Sequence, residues 1–326
     1  MPLTETLLAE LHKYQGRNPR PHDFDRYWDA ALRELDATDP KPTLVPSKEL
    51  SPRNSEAFDL WFTGVGGARI YAKYLRPKNR ETRAGSTGKY PALLQFHGYS
   101  GNSGQFLPKL AYAGEGFCIA ALDARGQGGR SEDNSTVRGT TYIGQIIRGI
   151  DDPDPHKLLF RQIFLDTAQL ARVLMSFDEV APERVGVIGC SQGGGLAIAC
   201  AALEPRIKRA VIGAPFLCDY RRIWETDRAV DAYGEIGYYF HYFDRKHERA
   251  DAFFTRLGYI DCQHLAPRIK AQVQFYTGLM DPVTPPHTQF AAYNKITSPK
   301  ELIVYPAAGH DVPFETDQSL QFLHRL

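Results

Sequence analysis

Apolar residues recur at helical spacing in two places near the start of the chain. Leu3, Leu7, Leu8 and Leu11 fit one helical face, and Phe24, Tyr27, Trp28, Ala31, Leu32 and Leu35 fit another that opens at Asp23 and ends near Pro40. Such a stripe is what a helix needs to lie against a core, so two helices are expected there. The period then shortens. Residues 58–62, a turn at Gly64-Val65-Gly66-Gly67 and residues 69–75 predict an antiparallel hairpin. The charged, Gly/Ser-rich stretch 77–89 predicts an exposed loop.

Beyond this loop, short and nearly unbroken apolar runs alternate with helix-length amphipathic segments. The runs are 92–96, 118–122, 185–188, 210–212, 273–276 and 302–305. Strands buried on both faces have this composition, and helices between them imply a mostly parallel sheet flanked by helices, an α/β fold. Between about 219 and 262 the rhythm stops and aromatics gather at Tyr233, Tyr238, Tyr239, Phe240, Tyr242 and Phe243. A helical insertion is expected there, either capping a site or only completing the core. The expected organisation is one domain over residues 1–326, with residues 1–50 as a helical extension.

Composition narrows the function. The 326 residues carry 39 basic and 38 acidic side chains, a net charge of +1, which lacks the basic footprint of a nucleic-acid or anionic-membrane binder. Glu5, Glu10, His12 and Lys13 interrupt the opening segment, so no secretory signal is read, and no run is long enough to span a membrane. The five cysteines, Cys118, Cys190, Cys200, Cys218 and Cys262, are odd in number and lack paired ligand spacing. They read as reduced thiols of a cytoplasmic protein.

The candidate chemistry lies at the ends of the apolar runs. Residues 185–188 lead into Gly189-Cys190-Ser191-Gln192-Gly193 and then a small-residue helix. A nucleophilic serine needs this tight strand-to-helix turn to project its hydroxyl, and side chains at the flanking glycines would clash. A hydroxyl nucleophile needs a base, and the base an orienting acid, here in the chain order Ser, acid, His. Asp281 follows the run 273–276 and is the first candidate acid, with Asp219 as its competitor; His310 follows the run 302–305 and is the base. His287 and His324 read as structural or surface residues. The loop after residue 96, His97-Gly98-Tyr99, is placed to supply one oxyanion amide at Tyr99, with Gln192 supplying the other. His97 reads as a residue that shapes this loop.

Two further stretches read as ordinary turns. Asp123 to Gly129 lacks the Gly-x-Gly-x-x-Gly spacing of a phosphate cradle. The acidic run Asp151-Asp152-Pro153-Asp154 reads as a solvated turn, and neither metal nor cofactor is expected.

Taken together, Arg125-Gly126-Gln127, Gly189-Cys190-Ser191-Gln192-Gly193, Gly278-Leu279-Met280-Asp281 and His310 resemble carbohydrate esterase family 7, the acetyl xylan esterases and cephalosporin C deacetylases of the α/β-hydrolase fold. Asp23-Phe24-Asp25-Arg26-Tyr27-Trp28, Gly149-Ile150-Asp151-Asp152-Pro153 and Phe290-Ala291-Ala292-Tyr293-Asn294 extend the resemblance over nearly the whole chain. It implies a triad of Ser191, Asp281 and His310, an oxyanion hole of the Tyr99 and Gln192 amides, and a structural role for Arg125, Gly126 and Gln127. It also implies removal of acetyl groups from short xylo-oligosaccharides and related small esters such as cephalosporin C, an intracellular location and a homo-oligomer, commonly a hexamer. The chain departs from the family in having Asp311 after His310 and in the stretch 155–160. A broad carboxylesterase or lactone hydrolase is the rival enzyme, and a non-catalytic ligand-binding module on the same fold is the rival outside enzymes.

Overall fold

The structure is a computed structural model that describes residues 2–78, 88–139 and 145–326. Its described residues place nine strands in one sheet: β1 Thr43–Pro46, β2 Ser55–Thr63, β3 Arg69–Pro77, β4 Tyr90–Phe96, β5 Cys118–Leu122, β6 Val180–Cys190, β7 Arg209–Gly213, β8 Gln272–Gly278 and β9 Lys300–Tyr305. The spatial order is β1-β2-β3-β5-β4-β6-β7-β8-β9. Pairings are antiparallel from β1 to β5 and parallel from β5 through β4 to β9. Every apolar run singled out in the sequence is a strand of this α/β sheet.

The hairpin forms as expected, with Leu60 opposite Ala72 and the turn glycines Gly66 and Gly67 at φ 70 and 77. Pro77 ends β3 instead of opening a loop, and residues 79–87 of the loop expectation lie outside the described residues. The strand β1 was not foreseen. Its four residues are largely exposed and show no alternation, so only the free edge of β2, pairing Thr43 with Trp61, makes them a strand.

Successive side chains of a strand point to opposite faces, and the core divides accordingly. Ala92, Leu94 and Phe96 of β4 pack with the helices Leu159–Met175 and Gln192–Leu203 on one side. Leu93 packs with Ile119, Ile188, Val211 and the helix Asp317–Leu323 on the other. Each fully buried Leu, Ile or Phe side chain contributes about 1.5–3 kcal/mol relative to exposure. Because β4 sits between β5 and β6, the winding of the chain reverses there, which opens a crevice at the carboxyl ends of these strands. Among the described residues no helix is long and apolar enough to cross a membrane.

The amino-terminal helices and the insertion are joined to each other. The helix Phe24–Asp36 buries Phe24, Tyr27, Trp28, Ala31 and Leu35. Asp23 does not cap this helix through its side chain; its carboxyl instead takes the Tyr259 hydroxyl at 2.5 Å, and the Trp28 indole N–H donates to the Tyr259 carbonyl at 2.9 Å. Between β7 and β8 run the helices Tyr220–Glu225, Gly234–Phe243, Ala250–Leu257 and Cys262–Leu265. Tyr233, Tyr239, Phe240, Phe253 and Phe254 are buried among them, whereas Tyr242 and Phe243 are exposed. The stretch 155–160 forms a short turn and the start of the helix Leu159–Met175, with the Pro155 carbonyl accepting the Tyr27 hydroxyl at 2.9 Å.

Asp219, at the start of the insertion, ties the extension down. Its buried carboxyl accepts the Tyr14 hydroxyl at 2.6 Å and the Arg17 and Asn18 amides at 2.9 and 2.8 Å. Asp219→Ala leaves all three donors without this acceptor, and urea unfolding should show a loss of about 3 kcal/mol. An unchanged midpoint would mean that the extension is held by its apolar face alone.

Candidate active site

The strand β6 runs into Ser191, which has φ 58 and ψ −122 and caps the helix Gln192–Leu203. A non-glycine residue pays for this conformation, so the neighbours must enforce it. They do so by close approach. A Cβ on Gly189 would lie 2.2 Å from the Gly193 carbonyl oxygen, and one on Gly193 would lie 2.1 Å from that of Phe96. Hydrogen bonds complete the restraint: the Ser191 amide donates to Gly213 at 3.0 Å, and its carbonyl accepts Phe216 at 2.8 Å and Gly195 at 3.1 Å.

The residues picked from strand ends meet here. His310 Nε2 lies 3.0 Å from Ser191 Oγ, and His310 Nδ1 lies 2.9 Å from Asp281 Oδ2. Asp281 is buried, while Ser191 and His310 are half-buried. Asp281 also forms the turn that a local reading of Asp-Pro predicts. Its Oδ1 accepts the Val283 and Thr284 amides, both at 2.9 Å, and its Oδ2 accepts the Thr284 hydroxyl at 2.8 Å and Gln289 Nε2 at 3.3 Å. A carboxylate with these donors is an acceptor toward His310, so Nδ1 carries the proton and Nε2 is free to accept from Ser191. Asp311 accepts the Gly309 amide at 2.9 Å, tightening the turn that presents His310.

The loop after β4 is pinned from within. His97 Nδ1 lies 2.7 Å from the Gly98 carbonyl oxygen, and His97 Nε2 accepts the Ala124 amide at 3.0 Å. Burial holds the His97 ring below its ordinary pKa, in keeping with a neutral ring shaping the loop. The Gly98 carbonyl also accepts the Gly101 amide at 3.1 Å and Gln192 Nε2 at 3.4 Å. A trans peptide sets its N–H opposite its C=O, so these contacts turn the Tyr99 amide away from the donors.

The Arg125-Gly126-Gln127 stretch is anchored on two sides. Gln127 and Gln192 exchange side-chain amide hydrogen bonds of 2.8 and 2.9 Å. Arg125 reaches inward to Asp166 of the helix Leu159–Met175, with Nε to Oδ2 at 2.6 Å and Nη2 to Oδ1 at 2.7 Å. Both side chains are at most 1% exposed. Burial opposes the Arg125 charge, and the Asp166 carboxylate more than offsets this, leaving the guanidinium above its ordinary pKa.

Other candidates are occupied elsewhere. Asp219 is engaged with the extension and not with His310. His287 packs edge-on against Tyr14, and His324 pairs with Glu115 at 3.2 Å. Asp152 of the acidic run accepts the Arg138 and Asp154 amides, each at 3.0 Å. Burial pushes the Cys190 thiol beside Ser191 up to about 12, which keeps it un-ionised. Thr284, Gln289 and Asp166 were not picked from sequence. Only Thr284 had a local signal, the Asp281-Pro282-Val283-Thr284 turn.

Removing one member of a buried ion pair strands its partner in the interior. Arg125→Met should therefore destabilise the fold by about 3–5 kcal/mol in urea unfolding, and Arg125→Met/Asp166→Leu should recover most of that loss. Equal stability of the single and double variants would show that the Asp166 charge is not what destabilises Arg125→Met.

Residues 1–326 match the acetyl xylan esterase (AXE1) family. Acetyl xylan esterase 1 from Thermoanaerobacterium sp. JW/SL YS485 is 52% identical in a structural match covering 98% of both chains, with a TM-score of 0.93. The acetyl xylan esterase from Paenibacillus sp. R4 is 33% identical, with a TM-score of 0.90 over 98% of this chain and 99% of that one. Acetyl esterase Axe7A of Xylanibacter ruminicola is 28% identical over 94% of this chain, which spans 67% of that protein's length. With the whole chain matched and the fold shared end to end, the protein belongs to the acetyl xylan esterase family of α/β-hydrolase-fold serine esterases, which hydrolyse acetyl esters.

Proposed function

We propose that Ser191 is the nucleophile of acetyl ester hydrolysis, His310 its general base and Asp281 the acid that orients His310. The relay of 3.0 Å from Ser191 to His310 and 2.9 Å from His310 to Asp281 carries this reading. His310 Nε2 takes the hydroxyl proton as Ser191 Oγ bonds to the acetyl carbon. Asp281 stabilises the imidazolium that results. The carbonyl oxygen becomes an oxyanion, held by the Tyr99 and Gln192 amides, whose hydrogen bonds strengthen as charge develops. When the intermediate collapses, the ester C–O bond breaks and His310 gives its proton to the leaving alkoxide. A water molecule then attacks the acetyl-serine by the same route, releasing acetate and restoring Ser191.

The natural substrate is proposed to be an acetyl group on a short xylo-oligosaccharide, with small acetyl esters such as cephalosporin C as further substrates. Support comes from the motif set of the sequence and from the relatives, two of which are acetyl xylan esterases.

Two measurements test this. Ser191→Ala should lower turnover of 4-nitrophenyl acetate by at least ~10³-fold, since triad members act as a unit. A fluorophosphonate should label the wild type and not the variant. In a 4-nitrophenyl ester series from acetate to octanoate, turnover should fall steeply beyond acetate. A broad chain-length profile would replace the deacetylase reading with that of a general carboxylesterase, and unchanged activity in Ser191→Ala would remove the nucleophile.

A further inference from the structure

The loop that carries Tyr99 is a strained turn. The Gly101 amide closes onto the Gly98 carbonyl at 3.1 Å, which leaves Tyr99 and Ser100 as its central residues, and Ser100 has φ 56. A turn with positive φ at its third position favours glycine. A serine there costs roughly 1 kcal/mol or more and stays only where its surroundings hold it. Relief of that strain rotates the peptide between Tyr99 and Ser100, and unless these two residues are tied the turn, with the Gly98–Tyr99 peptide that bears the Tyr99 N–H, shifts in compensation. Something outside the turn must therefore hold it.

The holding group lies 136 residues away, in the insertion. Glu235, on the helix Gly234–Phe243, is only 4% exposed. Its Oε1 accepts the Tyr99 hydroxyl. Its Oε2 accepts the Gln145 and Ile147 amides at 3.0 and 3.1 Å. The Gln145 side chain in turn donates to Ser100 Oγ at 2.8 Å. One buried carboxyl thus restrains both central residues of the turn, Tyr99 directly and Ser100 through Gln145. The Tyr99 ring is confined on another side by edge-on contact with Phe216, at 5.3 Å between centroids.

We propose that Glu235 is a positioning residue for ester hydrolysis, holding the 98–101 turn so that the Tyr99 amide faces the developing oxyanion, which presupposes the oxyanion role given to that amide above. The insertion then serves the reaction and does more than complete the core. Its helix has a second anchor on the same segment that does not touch the turn, the Tyr239 hydroxyl donating to Asp151 at 2.8 Å. That bond provides an internal control.

The test compares Tyr99→Phe, Glu235→Ala, Glu235→Gln and Tyr239→Phe with wild type. The readouts are kcat and KM for 4-nitrophenyl acetate, inhibition by phenylboronic acid and the thermal midpoint. Phenylboronic acid forms an anionic tetrahedral adduct on a serine hydroxyl and so reports on the oxyanion site. Losing an oxyanion donor outright costs about 10²–10³ in kcat, so a donor that is only loosened should cost ~10-fold. Tyr99→Phe and Glu235→Ala should each lose ~10-fold in kcat with KM within ~2-fold of wild type, and boronate binding should weaken by the same factor. The Tyr99→Phe/Glu235→Ala double variant should be no more than ~2-fold below Glu235→Ala, because the Tyr99 hydroxyl acts through Glu235. Glu235→Gln should stay within ~3-fold of wild type, since its carbonyl oxygen can take the two backbone amides and its NH₂ can donate to the tyrosine oxygen.

Tyr239→Phe should leave kcat unchanged. A loss there equal to that of Glu235→Ala would overturn the proposal by showing that general docking of the helix sets the rate. Wild-type kcat and boronate affinity in Tyr99→Phe would overturn it as well, and that variant decides the matter even if Glu235→Ala fails to fold. Failure of the underlying reading has its own sign: Ser191→Ala would keep its turnover and the wild type would bind no boronate.

Discussion

Ser191 sits at φ 58 and ψ −122, a conformation that costs an L-residue about 1–3 kcal/mol, and much of the surrounding structure can be understood as what prevents its relaxation. The restraint is first of all steric. With Gly189 and Gly193 close against backbone oxygens, β6, β4 and the following helix approach more closely than any side chain would allow. That closeness exposes the hydroxyl and starts a helix directly behind it. It also joins the Ser191 carbonyl to Phe216, the residue whose ring meets Tyr99. Ser191 and the 98–101 turn are therefore placed by one packed unit.

The Asp281–His310 side of the site is built with similar economy. Asp281 closes its own turn with one oxygen and meets His310 with the other, so the hydrogen bonds that order the turn also aim the carboxylate. Thr284 and Gln289 both reach Oδ2, which leaves little freedom in how the acid approaches the imidazole. Asp281 is buried, and four hydrogen bonds from the protein besides the His310 contact take the place of the lost water. The Arg125–Asp166 pair follows the same rule deeper in the molecule, where a fork-to-fork contact satisfies two otherwise costly charges.

What was legible in the sequence is what depends on neighbours in sequence. The buried strands announce themselves as apolar runs, and the Ser191 turn is a local strand–turn–helix signal, so Ser191, Asp281 and His310 could be picked from strand ends. Asp281 and Asp219 both follow strands, however, and although Asp281 is the first candidate in sequence, the three-dimensional position of His310 decides between them. Asp219 is spent on Tyr14, Arg17 and Asn18, some 200 residues earlier in the chain. Asp166 and Glu235 left no local mark at all. One is a carboxylate within an amphipathic helix and the other lies in an aromatic-rich insertion, and their partners are 41 and 136 residues away. The edge strand β1 was missed for a related reason, since its pairing partner and not its composition makes it a strand.

The same distances explain why the chain carries an extension and an insertion beyond the bare sheet. The extension grips the insertion at both ends, at Asp219 where it begins and at Tyr259 near its close. The insertion in turn presents Glu235 to the 98–101 turn and to the segment that holds Ser100. A single hydrogen bond contributes about 1 kcal/mol net, no more than the strain stored at one left-handed serine. No one contact could keep both Ser191 and Ser100 in place. Several independent ties over-determine them, and over-determination is what a site needs if its amides are to face a charge that exists only in the transition state. The segments outside the sheet thus do for the 98–101 turn what the close glycine packing does for Ser191, and the two are rigid for different physical reasons.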